Sequence, residues 1–402
     1  MTQKHRIAFL AGMFPRKQHA FIVENSIGVI QNAADAFQKN VIEGLATHAD
    51  VDAVVVNIPF VSAWPASFRK SWFPSVQDSE SGVPIEGRSF ANAFLVRYPA
   101  RMLAAIAGLR AKRARSADTI LVYSAHVPFM IAAIMCGRLL LRRQLAIIVL
   151  DLPEYMGATG LAQKLLGGIN RALFYRLVSY FDKVVVLTEA MIPRIGVPPE
   201  KAAVVEGIAT LGEDGTTAAT REGRGNTFLY TGTLARRYGI EALVDGFRQV
   251  EAPSAALWIC GAGEGADYVA EAAQADPRIL FFGQVDRSRA RELQREADFL
   301  INPRSGDDDF VRYSFPSKIM EYLASGRPVI MYNLPGIPGD YDPHYLHIEA
   351  SGAAGICAAI NSAIDMPVDS RNAMGAAARD YVGAHKGPRE QTRRILDLLY
   401  PS

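Results

Sequence analysis

Residues Tyr313 to Ile330 read YSFPSKIMEYLASGRPVI, with a proline, a lysine and a glutamate at spacings that a helix turns into chemistry. Pro316 suits a first helical turn because the backbone N–H it lacks has no partner there. Gly326 and then Pro328 supply the stop, so a helix is predicted from Pro316 to Ser325. At about 100° per residue, Ser317, Lys318, Glu321 and Ala324 fall on one arc, while Ile319, Met320 and Leu323 lie mostly on the other. The apolar arc is a core face, and the polar arc faces water or a ligand. Lys318 stands at the positive end of the helix dipole, unfavourable for a cation by a few tenths of a kcal/mol unless an anion also binds there.

Further candidates sit where apolar runs end. Asp151 follows LAIIVL, and either reaches into a site or caps a turn before Pro153; His126 follows TILVY. The stretch Gly261-Ala-Gly263-Glu-Gly265-Ala266 formally satisfies a dinucleotide-binding fingerprint. The next strand, RILFFGQ, ends without the acidic residue that a nicotinamide site needs, and the glycines follow the second strand of their series, not the first. The acidic triplet ending in Asp308 and Asp309 reads either as a solvated turn or as a source of a carboxylate.

The elements that must position these residues come in two series. The chain has 402 residues, half of them hydrophobic, and at roughly 100–200 residues per domain this suggests two domains. RIAFLAG (6–12), VDAVVVN (51–57), TILVY (119–123), LAIIVL (145–150) and KVVVL (183–187) are short apolar runs suited to strands buried on both faces of a parallel sheet. Residues 211–226 are rich in glycine, threonine and charge and read as a linker. The alternation then restarts with TFLYTG, ALWICG, RILFFG, ADFLINP and RPVIMY. The expected fold is α/β, with two Rossmann-like, doubly wound parallel-sheet domains at 1–210 and 227–375 facing a central cleft. Residues 376–402 are expected to form a helix that crosses back to the first domain. In such sheets ligands gather beyond the carboxyl ends of the strands.

Net charge is only +2, which does not announce a nucleic-acid binder. Three scattered cysteines, without a C-x-x-C pair, argue against a disulfide framework or zinc cluster and fit a reducing compartment. No run reaches about 18 uncharged apolar residues, so a soluble, cytoplasmic protein is expected. Between Arg88 and Ala117 there is no acidic residue, while Arg97, Arg101, Arg110, Lys112, Arg113 and Arg115 flank MLAAIAGL. Two readings of this run stand: a solvated helix face, or a basic amphipathic surface for anionic lipid headgroups at the inner face of a membrane.

FPSKIMEYLASGRPVI, preceded by FLINPRSGDDDF and FLYTGTLARRYGIEALVDGF, resembles the donor-binding half of retaining GT-B glycosyltransferases. The resemblance is to glycosyltransferase family 4, and within it to bacterial transferases that assemble capsular, exo- or lipopolysaccharide chains. It implies a nucleoside-diphosphate-sugar donor, UDP- or GDP-linked, with no metal and no further cofactor. It places Glu321 on the ribose hydroxyls, which a carboxylate can hold bidentately. Phe315, Pro316, Ser317 and the N–H groups opening the helix would meet the diphosphate, with charge added by Lys318. Gly232, Gly261 and Gly263 would line the nucleotide cleft in tight turns. The family's first glutamate falls on Tyr313, which departs from the pattern; Tyr313 itself, or a carboxylate from Asp308 or Asp309, is the candidate for the sugar. The family's phosphate-binding arginine and lysine fall on Thr233 and Tyr238, and Arg236 and Arg237 in the same loop are candidates to replace their charge. Asp151 is the candidate for a contact near the anomeric carbon, and His126 for the acceptor.

The resemblance implies transfer of a sugar to a hydroxyl of a glycan or lipid-linked glycan, with retention. Because no motif places two carboxylates as nucleophile and acid, front-face attack with the leaving phosphate as base is expected. A sugar-nucleotide epimerase of the same shape and a non-catalytic partner subunit remain open alternatives.

Overall fold

The computed structural model describes residues 4–28, 30–155, 161–211 and 226–401, the side chains of 161–166 excepted. The chain divides into two compact units, Met1–Ile208 joined by Pro388–Ser402, and Ala209–Gly387. The region read as a linker lies almost wholly outside the described residues.

The first unit contains β1 (His5–Ala11), β2 (Val51–Asn57), β3 (Trp72–Phe73), β4 (Val76–Glu80), β5 (Val83–Gly87), β6 (Phe90–Ala91), β7 (Thr119–Tyr123), β8 (Gln144–Val149), β9 (Lys183–Val186) and β10 (Ala202–Val204). Eight of these form one sheet in the order β10-β9-β8-β7-β1-β2-β5-β4, while β3 and β6 pair separately. The five apolar runs occupy β1, β2, β7, β8 and β9, and all five residues of TILVY are buried, as a strand covered on both faces requires. The order reverses between β1 and β7, which are parallel with Phe9 opposite Leu121. Edge strand β4 is antiparallel to β5, so the sheet is parallel except at this margin.

The second unit holds β11 (Thr227–Thr231), β12 (Ala256–Cys260), β13 (Ile279–Gly283), β14 (Phe299–Asn302), β15 (Val329–Met331) and β16 (Leu346–His347). They form one parallel sheet in the order β13-β12-β11-β14-β15-β16. Here the order reverses between β11 and β14, so the crevice beyond Thr231 and Asn302 is the place such a sheet offers a ligand. Each unit is thus a Rossmann-like, doubly wound sheet, as expected.

The end of the chain forms two helices where one was expected. Val368–His385 belongs to the second unit, and Pro388–Leu399 to the first. Gly44 marks how closely that last helix approaches Asn32–Thr47: a Cβ on Gly44 would lie 2.2 Å from the Pro388 carbonyl oxygen. The His48 Nε2 atom reaches the Arg389 carbonyl at 3.2 Å, and Tyr400 stacks on His5 with ring centroids 3.8 Å apart.

Candidate active site

In the second unit the helix runs Ser317–Ala324, with Pro316 at its N-cap. Ile319, Met320 and Leu323 are buried as the apolar arc requires, Ser317 is exposed, and Lys318 and Glu321 are half-buried. The helix is bolted to the end of β11. The Tyr322 hydroxyl accepts from the Thr231 N–H at 2.8 Å and lies 3.1 Å from the Thr231 hydroxyl, and the Lys318 ammonium donates to the Thr231 carbonyl. Burial lowers the pKa of Lys318, and the nearby Glu321 opposes that shift. Lys318 therefore holds the loop after β11 while its charge remains beside Gly232, where an added Cβ would come within 3.0 Å of its Cε. Glu321 is open to solvent: its side chain is 35% exposed, 3.9 Å from Arg291 in the helix Arg287–Glu296.

Gly232 donates to the Cys260 carbonyl at 2.8 Å, and Leu234 to the Ala262 carbonyl at 2.9 Å, so the loops after β11 and β12 run side by side. Gly261 (φ +150°) would place a Cβ 1.7 Å from the Gly232 carbonyl oxygen, and Gly263 (φ +156°) one 2.6 Å from that of Leu234. These glycines are demanded by loop against loop, a reason within the protein itself.

The other predicted residues separate. Thr233 is exposed, and its carbonyl accepts from the Tyr230 hydroxyl at 2.9 Å. Arg236 is exposed and paired with Glu241 at 3.0 Å, its charge already engaged. Arg237 lies over the rings of Tyr238, at 5.0 Å, and Phe310, at 5.8 Å. Asp309 pairs with Arg312 at 3.2 Å in the short turn Asp309–Tyr313 that also carries half-buried Tyr313. Phe315 is buried, its ring 5.6 Å from that of Tyr341, and serves the core of this unit.

Arg304 was missed by sequence reasoning. It follows β14 by two residues, is 9% exposed, and stacks against Phe310 at 4.6 Å and Tyr238 at 5.4 Å. Its Nη2 donates to the Ser314 hydroxyl at 2.8 Å, while its Nε is buried without a partner. Burial lowers its pKa, and the neighbouring Arg237 adds to that effect. Arg304 and Arg237 thus share the Phe310 ring as like charges. The position just past a strand end was the available signal. Tyr322 was missed because an aromatic residue on the apolar arc of a helix reads as core.

In the first unit, Asp151 and His126 stand at the carboxyl ends of neighbouring strands β8 and β7. The Asp151 side chain reaches solvent, and partial desolvation raises its pKa. His126 occupies the N-cap position of the helix Val127–Ala133 without a side-chain capping bond, its ring among those of Phe129, Phe60 and Tyr98, at 4.8, 5.2 and 5.7 Å. Burial first, then Arg101 and Arg97, hold its imidazole well below the usual range. The basic run needs one correction: Arg101 is not on a surface. It shares the buried arc of the helix Arg97–Leu109 with Ala104, Ala105 and Gly108, because residues three, four and seven apart face one way.

Among the described residues, no group of three or more His, Cys, Asp or Glu side chains is arranged to hold a metal ion. No described helix is long and apolar enough to cross a membrane.

Residues 225–365 match the family model described as glycosyl transferases group 1, and the chain as a whole shares the GT-B fold with solved structures. Solved structures sharing the fold include Anabaena HepE in complex with UDP, with a TM-score of 0.62 at 15% identity over 98% of this chain and 99% of that one. Sucrose-phosphate synthase from Thermosynechococcus elongatus superposes with a TM-score of 0.69 at 16% identity, covering 98% of each chain. The lipopolysaccharide outer core galactosyltransferase WaaB in its apo form gives 0.61 at 13% identity, over 98% of this chain and 99% of that one. A search of curated protein sequences finds no match.

Proposed function

We propose that this chain is a retaining, metal-independent glycosyltransferase that moves a sugar from a UDP-sugar to a hydroxyl of a glycan or lipid-linked glycan. The observation that carries this reading is the crevice where β11 and β14 part. It combines a helix N-terminus, the cations Lys318, Arg237 and Arg304, and the half-buried Glu321 carboxylate one turn deeper. A diphosphate suits the first two, and a ribose diol suits the third. UDP is favoured over GDP because HepE is solved with UDP and with UDP-glucose.

In this reading the acceptor oxygen forms its bond to the anomeric carbon on the face from which the phosphate oxygen departs, and that phosphate oxygen takes the acceptor's proton. The protein contributes position and charge: Arg304, Arg237 and the helix N-terminus stabilise the diphosphate as the glycosidic bond breaks. Asp151 contacts the donor sugar, and His126 serves the acceptor. Work at the inner face of a membrane, in capsule, exopolysaccharide or lipopolysaccharide assembly, is supported by exposed Phe94, Leu95 and Leu103 alongside exposed Arg110, Lys112, Arg113 and Arg115.

Incubation with a panel of UDP- and GDP-sugars tests the reading. Slow release of free UDP supports it. An isomerised donor would identify an epimerase, and binding without turnover a non-catalytic subunit.

A further inference from the structure

The first unit holds a cluster of basic groups whose charges are not balanced within it. Arg101 is 4% exposed; its Nη2 donates to the carbonyls of Pro59 at 3.2 Å and Val61 at 2.7 Å, and its guanidinium lies 5.1 Å from the Phe90 ring and 6.0 Å from the Phe60 ring. Arg97, one turn earlier, lies 4.9 Å from the Tyr98 ring and donates to its hydroxyl at 3.3 Å. His126 faces both Tyr98 and Phe60. Three nitrogens, Nε of Arg97, Nε of Arg101 and Nε2 of His126, are buried without a hydrogen-bond partner.

A buried cation is costly unless paired, and a buried polar nitrogen costs about 1–3 kcal/mol when unsatisfied. Here the surroundings aggravate the cost. The charges acting on His126 are those of Arg101 and Arg97, and the one acting most on Arg101 is Arg97, with Tyr98 opposing it; no carboxylate is among them. The cluster lies at the carboxyl ends of β2 and β7, close to the reversal of strand order, and Tyr98, 45% exposed, opens it to solvent. An anion would satisfy the unpaired donors and the unbalanced charge together.

We infer that Arg97, Arg101 and His126 form a subsite for a phosphoryl group carried by the acceptor. This deepens the transferase reading by naming the acceptor's chemistry: the hydroxyl that receives the sugar belongs to a phosphorylated molecule. A phosphoryl group fits because it accepts several bonds at once and carries up to two negative charges. It can belong to a soluble sugar phosphate or to a lipid-linked diphosphate.

Three probes distinguish the sources. Calorimetric binding of glucose 6-phosphate, farnesyl diphosphate and glucose is measured on the full chain, with UDP titrated in parallel. At least one phosphorylated probe should bind well above glucose; preference for glucose 6-phosphate assigns a soluble acceptor, and preference for farnesyl diphosphate a lipid-linked one. Arg97→Gln should weaken the preferred probe by about 10- to 100-fold, as loss of a charge-assisted bond does. It is the variant of choice because Arg101 also holds the Pro59 and Val61 carbonyls, and its replacement endangers folding. A readout independent of that variant is the imidazole resonance of His126, assigned with His126→Gln. In the native chain the preferred probe should raise its titration midpoint, and glucose should not. UDP binding with both phosphorylated probes no tighter than glucose, or an unmoved His126 midpoint, overturns the inference alone. Loss of UDP binding with the phosphorylated probes retained overturns the donor reading and supports the subsite.

Discussion

Glu321→Ala separates a ligand-holding carboxylate from a structural one. The carboxylate stands 3.9 Å from Arg291, with the two side chains 35% and 51% exposed. A pair so long and so exposed contributes about 0–1 kcal/mol, so its removal should change folding stability by less than about 1 kcal/mol. Hydrogen bonds from ribose hydroxyls to a carboxylate are charge-assisted and contribute about 1.5–3 kcal/mol, which corresponds to roughly a 10- to 150-fold loss of UDP affinity. Isothermal titration with UDP and urea unfolding, run on the same preparations, read the two quantities separately. Arg291→Ala supplies the counterpart: it breaks the same ion pair and leaves the carboxylate free, so UDP should bind no more weakly. Unchanged UDP affinity in Glu321→Ala would refute the placement of the ribose, and an unfolding loss of several kcal/mol would make the residue structural.

Tyr322→Phe removes the hydroxyl that serves the Thr231 N–H at 2.8 Å and strands that donor in the core. It should cost about 1–3 kcal/mol in urea unfolding, and a loss under about 0.5 kcal/mol would disprove its role as the bolt between helix and strand. The His126 pKa is held well below the ordinary 6.5 by burial and by Arg101 and Arg97. The unfolded chain therefore takes up a proton first as pH falls, so the contribution of neutral His126 is present above pH 6.5 and lost below it. Between that value and the folded-state pKa, its share of the slope is about 1.4 kcal/mol per pH unit. His126→Gln should flatten the acid side of the stability profile accordingly, and a profile of unaltered steepness would count against the imidazole being buried and neutral.

The strand framework was legible because both sheets bury their central strands on two faces, so each becomes a continuous apolar run. TILVY and VDAVVVN coincide with β7 and β2 to the residue. The hairpin of β4 and β5 escaped notice because VQDSE is an edge strand with alternate residues in solvent, and its single apolar residue resembles a loop. The helix Ser317–Ala324 was legible for a different reason: proline, glycine and a 3.6-residue period agree on its limits. Arg304 was not legible, because its significance comes from contacts with Tyr238 and Phe310, far apart in sequence and joined only by the fold. Arg101 shows the converse. Its inward arc with Ala104, Ala105 and Gly108 was present in the spacing, but a positive charge among other positive charges argued for the surface.

The helix Pro388–Leu399 belongs to the first unit although the whole of the second unit stands before it in the chain. His48 is separated by 341 positions from its partner Arg389, and Thr119 by 281 from Tyr400. A ribosome therefore makes the whole of the intervening unit before the first unit has all its parts, and that intervening unit can mature first, against the usual order of emergence. Removal of the helix Pro388–Leu399 would bare the face of Asn32–Thr47 around Gly44, so damage beyond the second unit would strike the unit that precedes it.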